Sequence, residues 1–252
     1  MKPILFTHKM RAALALTCLT SVLAFGAETN LVSSTDPRAE ALLNRHLQAL
    51  GGDAALQKIT SRRITGSLER HGNKVPLIRI QKAPNLLVAE TRFPRPGTLK
   101  QGFDGKVAWV QVPAQPGRRL KGKDRAAIAD EAWLHPMLRV REQYSVRQFL
   151  GPRTVEGRTF TVLSLAKKKT TRPELWFFDE TTALPVRIER QEDGGVQGEI
   201  PVITVLEDYR TVGGVMMPFT VRTKLPTSET VLHIDSIEHN LSFEDSVFQA
   251  PF

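Results

Sequence analysis

The residues best spaced for chemistry are His233, Asp235 and His239, in the run His233-Ile234-Asp235-Ser236-Ile237-Glu238-His239. On a regular strand, residues an even number apart face the same way, so two imidazoles and a carboxylate share one face. That spacing matches no established ligand pattern and fits many exposed strands by chance, so it does not assign a metal. Elsewhere the chain has no GxSxG, no HExxH and no glycine-rich phosphate loop. Asp179-Glu180 reads as a solvated hairpin end rather than an acid/base pair. The expectation is a protein with no catalytic residue, no metal and no cofactor, hence not an enzyme.

What the chain does have is surplus apolar surface. Leu175-Trp176-Phe177-Phe178 is apolar on both faces of one strand. Such a strand either has both faces covered by core or lines a cavity on one side. The stretch from Ile203 to Asn240 reads as three antiparallel strands with turns at Gly213-Gly214 and Pro226-Thr227-Ser228. In its middle strand, Val215, Met217, Phe219, Val221 and Leu225 share one face, and Met216, Thr220, Arg222 and Lys224 share the other. Pro218 lacks a backbone donor, which predicts an edge or a bulge there. Met216 and Met217 suit an adaptable apolar surface. An acyl chain gains about 0.8 kcal/mol per buried CH₂, so a fourteen-carbon chain gains about 11 kcal/mol before losses.

The elements that must position these residues are mostly strands. Asp36-Pro37 opens a helix striped by Ala39, Leu42, Leu43, Leu47 and Leu50 and stopped at Gly51-Gly52. A short helix capped by Asp53 follows. From Arg62 onward, strand-like runs recur at hairpin spacing, with Asp104-Gly105 the strongest turn signal. The sheet is interrupted by a basic Pro/Gly loop from Pro113 to Lys123 and a helix from Asp124 to His135. That insert is either a crossover packed on the core or a lid over one sheet face. The fold class expected is mainly β (α+β). It is a single highly curved antiparallel sheet, or half-open β-barrel, of about ten or eleven strands, with N-terminal and inserted helices as covers. The candidate ligand-binding residues are Trp176, Phe178, Met217, Phe219 and Val221 on the sheet, with Ile128 and Trp133 on the insert.

The first residues read as export machinery. Lys2, Lys9 and Arg11 precede an apolar, uncharged run from Ala12 to Phe25, and Ala24-Phe25-Gly26 is a small-x-small site. Residues 1–26 are therefore expected to be a cleaved signal peptide, and 27–252 a single domain. The apolar run is short for a membrane span, and Cys18 lacks the flanking residues that lipidation needs. The only cysteine leaves with the signal, so core burial must supply stability. Losing Lys2, Lys9 and Arg11 takes the formal charge from +9 to +6. In an exported protein that charge either suits phospholipid headgroups, lipopolysaccharide or an acidic partner rather than nucleic acid, or serves solubility alone.

Several short motifs occur in one order: Leu50-Gly51-Gly52, Gly102-Phe103-Asp104-Gly105 then Trp109, Trp176 to Asp179 then Leu184-Pro185, Asp208-Tyr209-Arg210 then Gly213-Gly214 and Pro218, and Phe248 to Pro251. Together they resemble the bacterial outer-membrane lipoprotein-sorting proteins, the LolA/LolB-like periplasmic carriers, over nearly the whole exported chain. The resemblance implies a half-open curved sheet closed by helices over an apolar cavity. It implies lipid or acylated lipoprotein as ligand, inner- or outer-membrane proteins as partners, no cofactor, and a monomer. In those carriers an arginine helps hold the lid; the sequence alone does not place it. A second reading is a non-enzymatic envelope interaction or sensor module, with the same cavity sensing mislocalised lipoproteins or the basic residues Arg118, Arg119, Lys121 and Lys123 docking an envelope partner.

Overall fold

In the computed structural model, residues 35–168 and 172–252 are described. The expected signal peptide lies outside them, as does nearly all of the lead-in that follows it. Asp36 accepts the Arg38 backbone N–H at 2.8 Å and starts α1, Pro37–Ala49, with Pro37 in its first turn. The α1 stripe buries Ala39, Leu42, Leu43 and His46. Gly51, at φ +114°, ends it where the Gly214 carbonyl would lie 2.3 Å from any added Cβ. The next helix, α2, Asp53–Gln57, buries Leu56.

Thirteen strands follow in one antiparallel sheet. The first six are β1 Ser61–Arg70, β2 Asn73–Lys82, β3 Leu86–Arg92, β4 Thr98–Phe103, β5 Ala108–Gln111 and β6 Arg118–Arg119. The other seven are β7 Tyr144–Val155, β8 Arg158–Lys167, β9 Glu174–Phe178, β10 Pro185–Asp193, β11 Glu199–Val212, β12 Val215–Leu225 and β13 Ser228–His239. β6 falls in the stretch expected to be loop, because two residues are too short to show a period. Each half is a meander, and the halves join where β1 pairs with β13, so the order runs β6 to β1, then β13 to β7.

This topology dictates the cover. β6 and β7 are consecutive strands at opposite edges of the sheet, so the chain between them must cross a whole face. It does so as α3, Gly122–Glu131, a 3-10 turn at Pro136–Arg139, and α4, Val140–Gln143. The predicted helix Asp124–His135 is thus shorter and earlier, and Asp124 lies inside α3 rather than at its cap.

The two faces are packed differently. On the helix side, Leu163, Leu165, Trp176 and Phe178 sit under α1 and Val140, while Leu87, Phe103 and Ala108 sit under Ile128 and Ala132 of the cover. On the outer side, Val88 and Trp109 pack against Phe248, and Trp109 Nε1–H donates to the Phe248 carbonyl at 2.9 Å. Phe160, Val162 and Phe177 form an outer cluster at the other end, with Arg158 over Phe160 and Arg187 over Phe177. The two-sided apolar strand at 175–178 is therefore covered on both faces.

Two irregularities matter for function. β12 and β13 pair only between Thr220–Leu225 and Ser228–His233, and then part. Pro218 lies in the unpaired portion, so its missing donor costs no ladder bond on the β13 side. The β1–β13 register shifts between Thr65 and Gly66, because Asp235 is an extra residue between Ile234 and Ser236. Gly66 is needed at that shift: an added Cβ would lie 2.1 Å from the His233 carbonyl oxygen.

Candidate ligand face and its helical cover

Pairing registers place one row of aliphatic side chains straight across the centre of the sheet. Val75 pairs with Leu68, Leu68 with Leu232, Leu232 with Val221, and Val221 with Leu206. All five are half-buried. They lie on the helix side, since Leu68 alternates with Ile64 and Arg62, and Arg62 reaches the cover. Leu232 packs on the buried cluster of Ile64, Phe219, Ile234 and Ile237. Five strands at about 4.8 Å spacing make the row roughly 19 Å long, a span that suits an extended hydrocarbon chain.

The first helix of the cover, α3, is held by few apolar contacts. α3 buries one large side chain, Ile128, whose burial contributes about 1.5–3 kcal/mol. Ala129 packs on the same cluster, Arg125 lies over Phe103, and the remaining ties are polar. Gln81 Nε2–H donates to the carbonyls of Glu131, Trp133 and Ala132 at 3.1, 3.3 and 3.5 Å, collecting the last turn of the helix. Arg79 donates to the Glu131 carbonyl at 2.9 Å and pairs with its carboxylate. Lys167–Asp130 at 2.8 Å and Lys123–Asp193 at 3.1 Å tie α3 to β8 and β10. Exposed pairs of this kind add little and are screened by salt.

Beyond α3 the attachment tightens. Leu134 is buried among Leu56, Ile59 and Val215. His135 Nε2–H donates to the Ile59 carbonyl at 2.7 Å, and the Leu134 N–H to Pro84 at 3.2 Å. Arg62 Nη1–H points at the Leu134 carbonyl, 3.5 Å away, and Arg62 Nε–H donates to His239 Nε2 at 3.3 Å. Arg62 is 7 % exposed and forms no ion pair among the described residues. Burial and the nearby Arg79 bring its pKa down to about 10. His239 is pushed down to about 4 by burial, Arg62 and His135, and His135 is lowered by burial and Arg62.

The residues expected to bind ligand fall into separate places. Trp176 and Phe178 lie under α1; Trp176 Nε1–H donates to Glu174 at 3.0 Å, as does the Tyr144 hydroxyl at 2.8 Å. Phe178 meets His46 edge-on at 5.5 Å. Met217 joins the Leu134 cluster to the Phe219 cluster, and Val221 is in the aliphatic row. Ile128 packs on β3–β5, away from Trp176 and Phe178, and Trp133 lies under the Arg139 guanidinium at 3.5 Å. Sequence reasoning missed Leu68, Val75, Leu206 and Leu232, because only long-range register lines them up. It also missed Gln81 and Arg62; their one signal is a polar residue at a helix-side position of a strand.

The His233–Asp235–His239 grouping does not assemble. The extra residue at Asp235 switches the alternation, so His233 faces Glu69 at 3.0 Å on the outer side while His239 faces Arg62 on the helix side. Where β12 and β13 part, a cleft of about 750 Å³ opens under α2, bordered by Ala55, Lys58, Ile59, Val212, Gly213 and His239. A second groove, of about 400 Å³, lies on the outer face beside Trp109 and Val247. Among the described residues, no helix is long and apolar enough to cross a membrane.

No family model matches the chain, and no curated protein matches it closely. Solved structures of low sequence identity share its fold. A DUF1329 family protein from Desulfovibrio piger is 16 % identical, with a TM-score of 0.58 over 85 % of this chain and 98 % of that one. A putative outer-membrane lipoprotein-sorting protein domain from Vibrio parahaemolyticus is 13 % identical, with a TM-score of 0.57 over 83 % and 97 %. A LolA superfamily protein from Nitrosomonas europaea is 14 % identical, with a TM-score of 0.56 over 84 % and 97 %. With its single unclosed antiparallel sheet and crossing helical cover, the chain has a LolA-like fold.

Proposed function

We propose that the protein is an exported, periplasmic, non-enzymatic carrier that binds acyl chains of lipid or lipoprotein on the helix side of its sheet. The observation that carries this reading is the row Val75–Leu68–Leu232–Val221–Leu206: aliphatic, half-exposed, and on the same sheet face as a cover whose first helix, α3, is held largely by polar ties. A chain laid along the row removes that surface from water, and the side chains of the cover exchange one apolar partner for another as it shifts. Met217 and Phe219 extend the row toward the cover, and Ile128 and Trp133 move with it. Arg62, buried and directed at the Leu134 carbonyl, is our candidate for the arginine that holds the cover closed. The fold shared with a lipoprotein-sorting domain supports the same reading.

Uptake of a fluorescent fatty acid by the purified protein tests it. The wild type is expected to bind stoichiometrically, and Leu232→Gln to lose about tenfold in affinity with an unchanged fold. Absence of uptake, or uptake indifferent to Leu232→Gln, contradicts the proposal. A second reading, docking of an envelope partner, rests on Arg118 and Arg119, exposed on the edge strand β6. A partner captured through Arg118, Arg119, Lys121 and Lys123, with no lipid bound, would favour it.

A further inference from the structure

The cleft between the parting ends of β12 and β13 has a chemistry of its own. His239 Nε2 accepts from Arg62, so the neutral ring carries its proton on Nδ1. That Nδ1 is buried, and among the described residues it has no hydrogen-bond partner. A buried donor left unmade is costly, and its presence calls for an acceptor. Nδ1 lies against Gly213, where an added Cβ would be 3.0 Å from it and where φ is +58°; the Gly213-Gly214 turn covers the donor, and an anion in the cleft reaches it as that turn shifts. Lys58 borders the same cleft, no carboxylate does, and Arg62 adds uncompensated positive charge behind the ring. Ala55, Ile59 and Val212 give the cleft an apolar side, and Asn240 adds a polar one.

We propose that this cleft is an oxyanion site, in which a phosphate or carboxylate oxygen accepts from His239 Nδ1–H and pairs with the Lys58 ammonium. Arg62 acts as a positioning residue, fixing the tautomer of His239 and supplying charge. The site lies seven residues along β13 from Leu232, roughly 23 Å, and does not depend on acyl chains binding the aliphatic row. The shared ligand chemistry is an anionic oxygen group, free or carried as the head of a lipid with a short apolar part against Ile59 and Val212.

The test is NMR of the full chain with labelled histidine, at constant ionic strength, titrated separately with inorganic phosphate and with dihexanoyl phosphatidylglycerol below its aggregation threshold. The His239 Nδ1–H resonance and the Gly213 and Gly214 amides are expected to shift saturably, and the apparent pKa of His239 to rise on binding, while buried His46 stays put. Lys58→Ala, a change at an exposed residue, should weaken binding at least fivefold with the remaining spectrum unchanged. Response to both probes supports the site with a free anion sufficient; response to the lipid alone supports it with a headgroup as source. No saturable shift with either, or shifts that survive Lys58→Ala undiminished, overturns it. Fatty-acid uptake that persists with His239 silent would separate failure of this site from failure of the carrier reading.

Discussion

Replacing Gln81 with leucine should release the cover without unfolding the sheet. Gln81 is 4 % exposed and lies beneath the last turn of α3, where its amide donates to three carbonyls, the nearest at 3.1 Å. Those carbonyls have no partner within the helix. Leucine has a similar volume, so packing is largely kept while the donor disappears. The loss is about 1 kcal/mol for the hydrogen bond plus about 1–3 kcal/mol for a carbonyl left desolvated. Arg79 still donates to the Glu131 carbonyl at 2.9 Å, which keeps the cost toward the lower end, about 2 kcal/mol. At about 1.4 kcal/mol per tenfold, the open fraction of the cover rises roughly thirtyfold. Native-state hydrogen exchange reads this directly. Amides of α3 should lose about thirtyfold in protection, while β8 and β9, under α1, keep theirs. Unchanged α3 protection would refute the role given to Gln81. Equal loss in β8 and β9 would refute the claim that the cover opens as a separate unit.

Further outcomes follow from the same geometry. Raising salt from 0.1 to 1 M shortens screening from about 10 to 3 Å, so exchange of α3 amides should quicken several-fold, and less in a Lys167→Met, Lys123→Met variant that lacks both pairs. His46, 2 % exposed, is held at a pKa of about 4 by burial, below its ordinary 6.5. The unfolded chain therefore binds the proton first, and stability present above pH 6.5 is lost as pH falls toward 4, by roughly 3 kcal/mol from this group. Urea titrations should show that decline, with a shallower slope in His46→Gln. Gly66→Ala forces a Cβ against the His233 carbonyl and should cost about 1–3 kcal/mol, or several degrees in Tm by calorimetry.

Local signals were enough for much of the fold. Asp36-Pro37 starts α1, Gly213-Gly214 separates β11 from β12, and the alternation from Val215 to Leu225 marks a strand, because each depends on neighbours in the chain. The LolA-like fold followed from motif order. The ligand face was only partly legible. Val221, Met217 and Phe219 show their shared face in sequence, but Leu68 and Leu232 meet only through the β1–β13 pairing, whose partners are 160 to 177 residues apart. Nothing local reveals that pairing, since hairpin turns specify only adjacent strands. The register shift at Asp235 defeated the metal grouping for a related reason: one extra residue reverses which face every later side chain takes. Gln81 and Arg62 look like ordinary surface polar residues until the cover is laid over them.

The most direct measurement is where a bound chain lies. In protein with labelled Leu and Val methyl groups, a saturating fatty acid should give intermolecular NOEs to Val75, Leu68, Leu232, Val221 and Leu206, with shifts in α3 as the cover adjusts. NOEs confined to the outer groove beside Trp109, or none at all with uptake demonstrated, would contradict the assignment of the helix-side row as the ligand face.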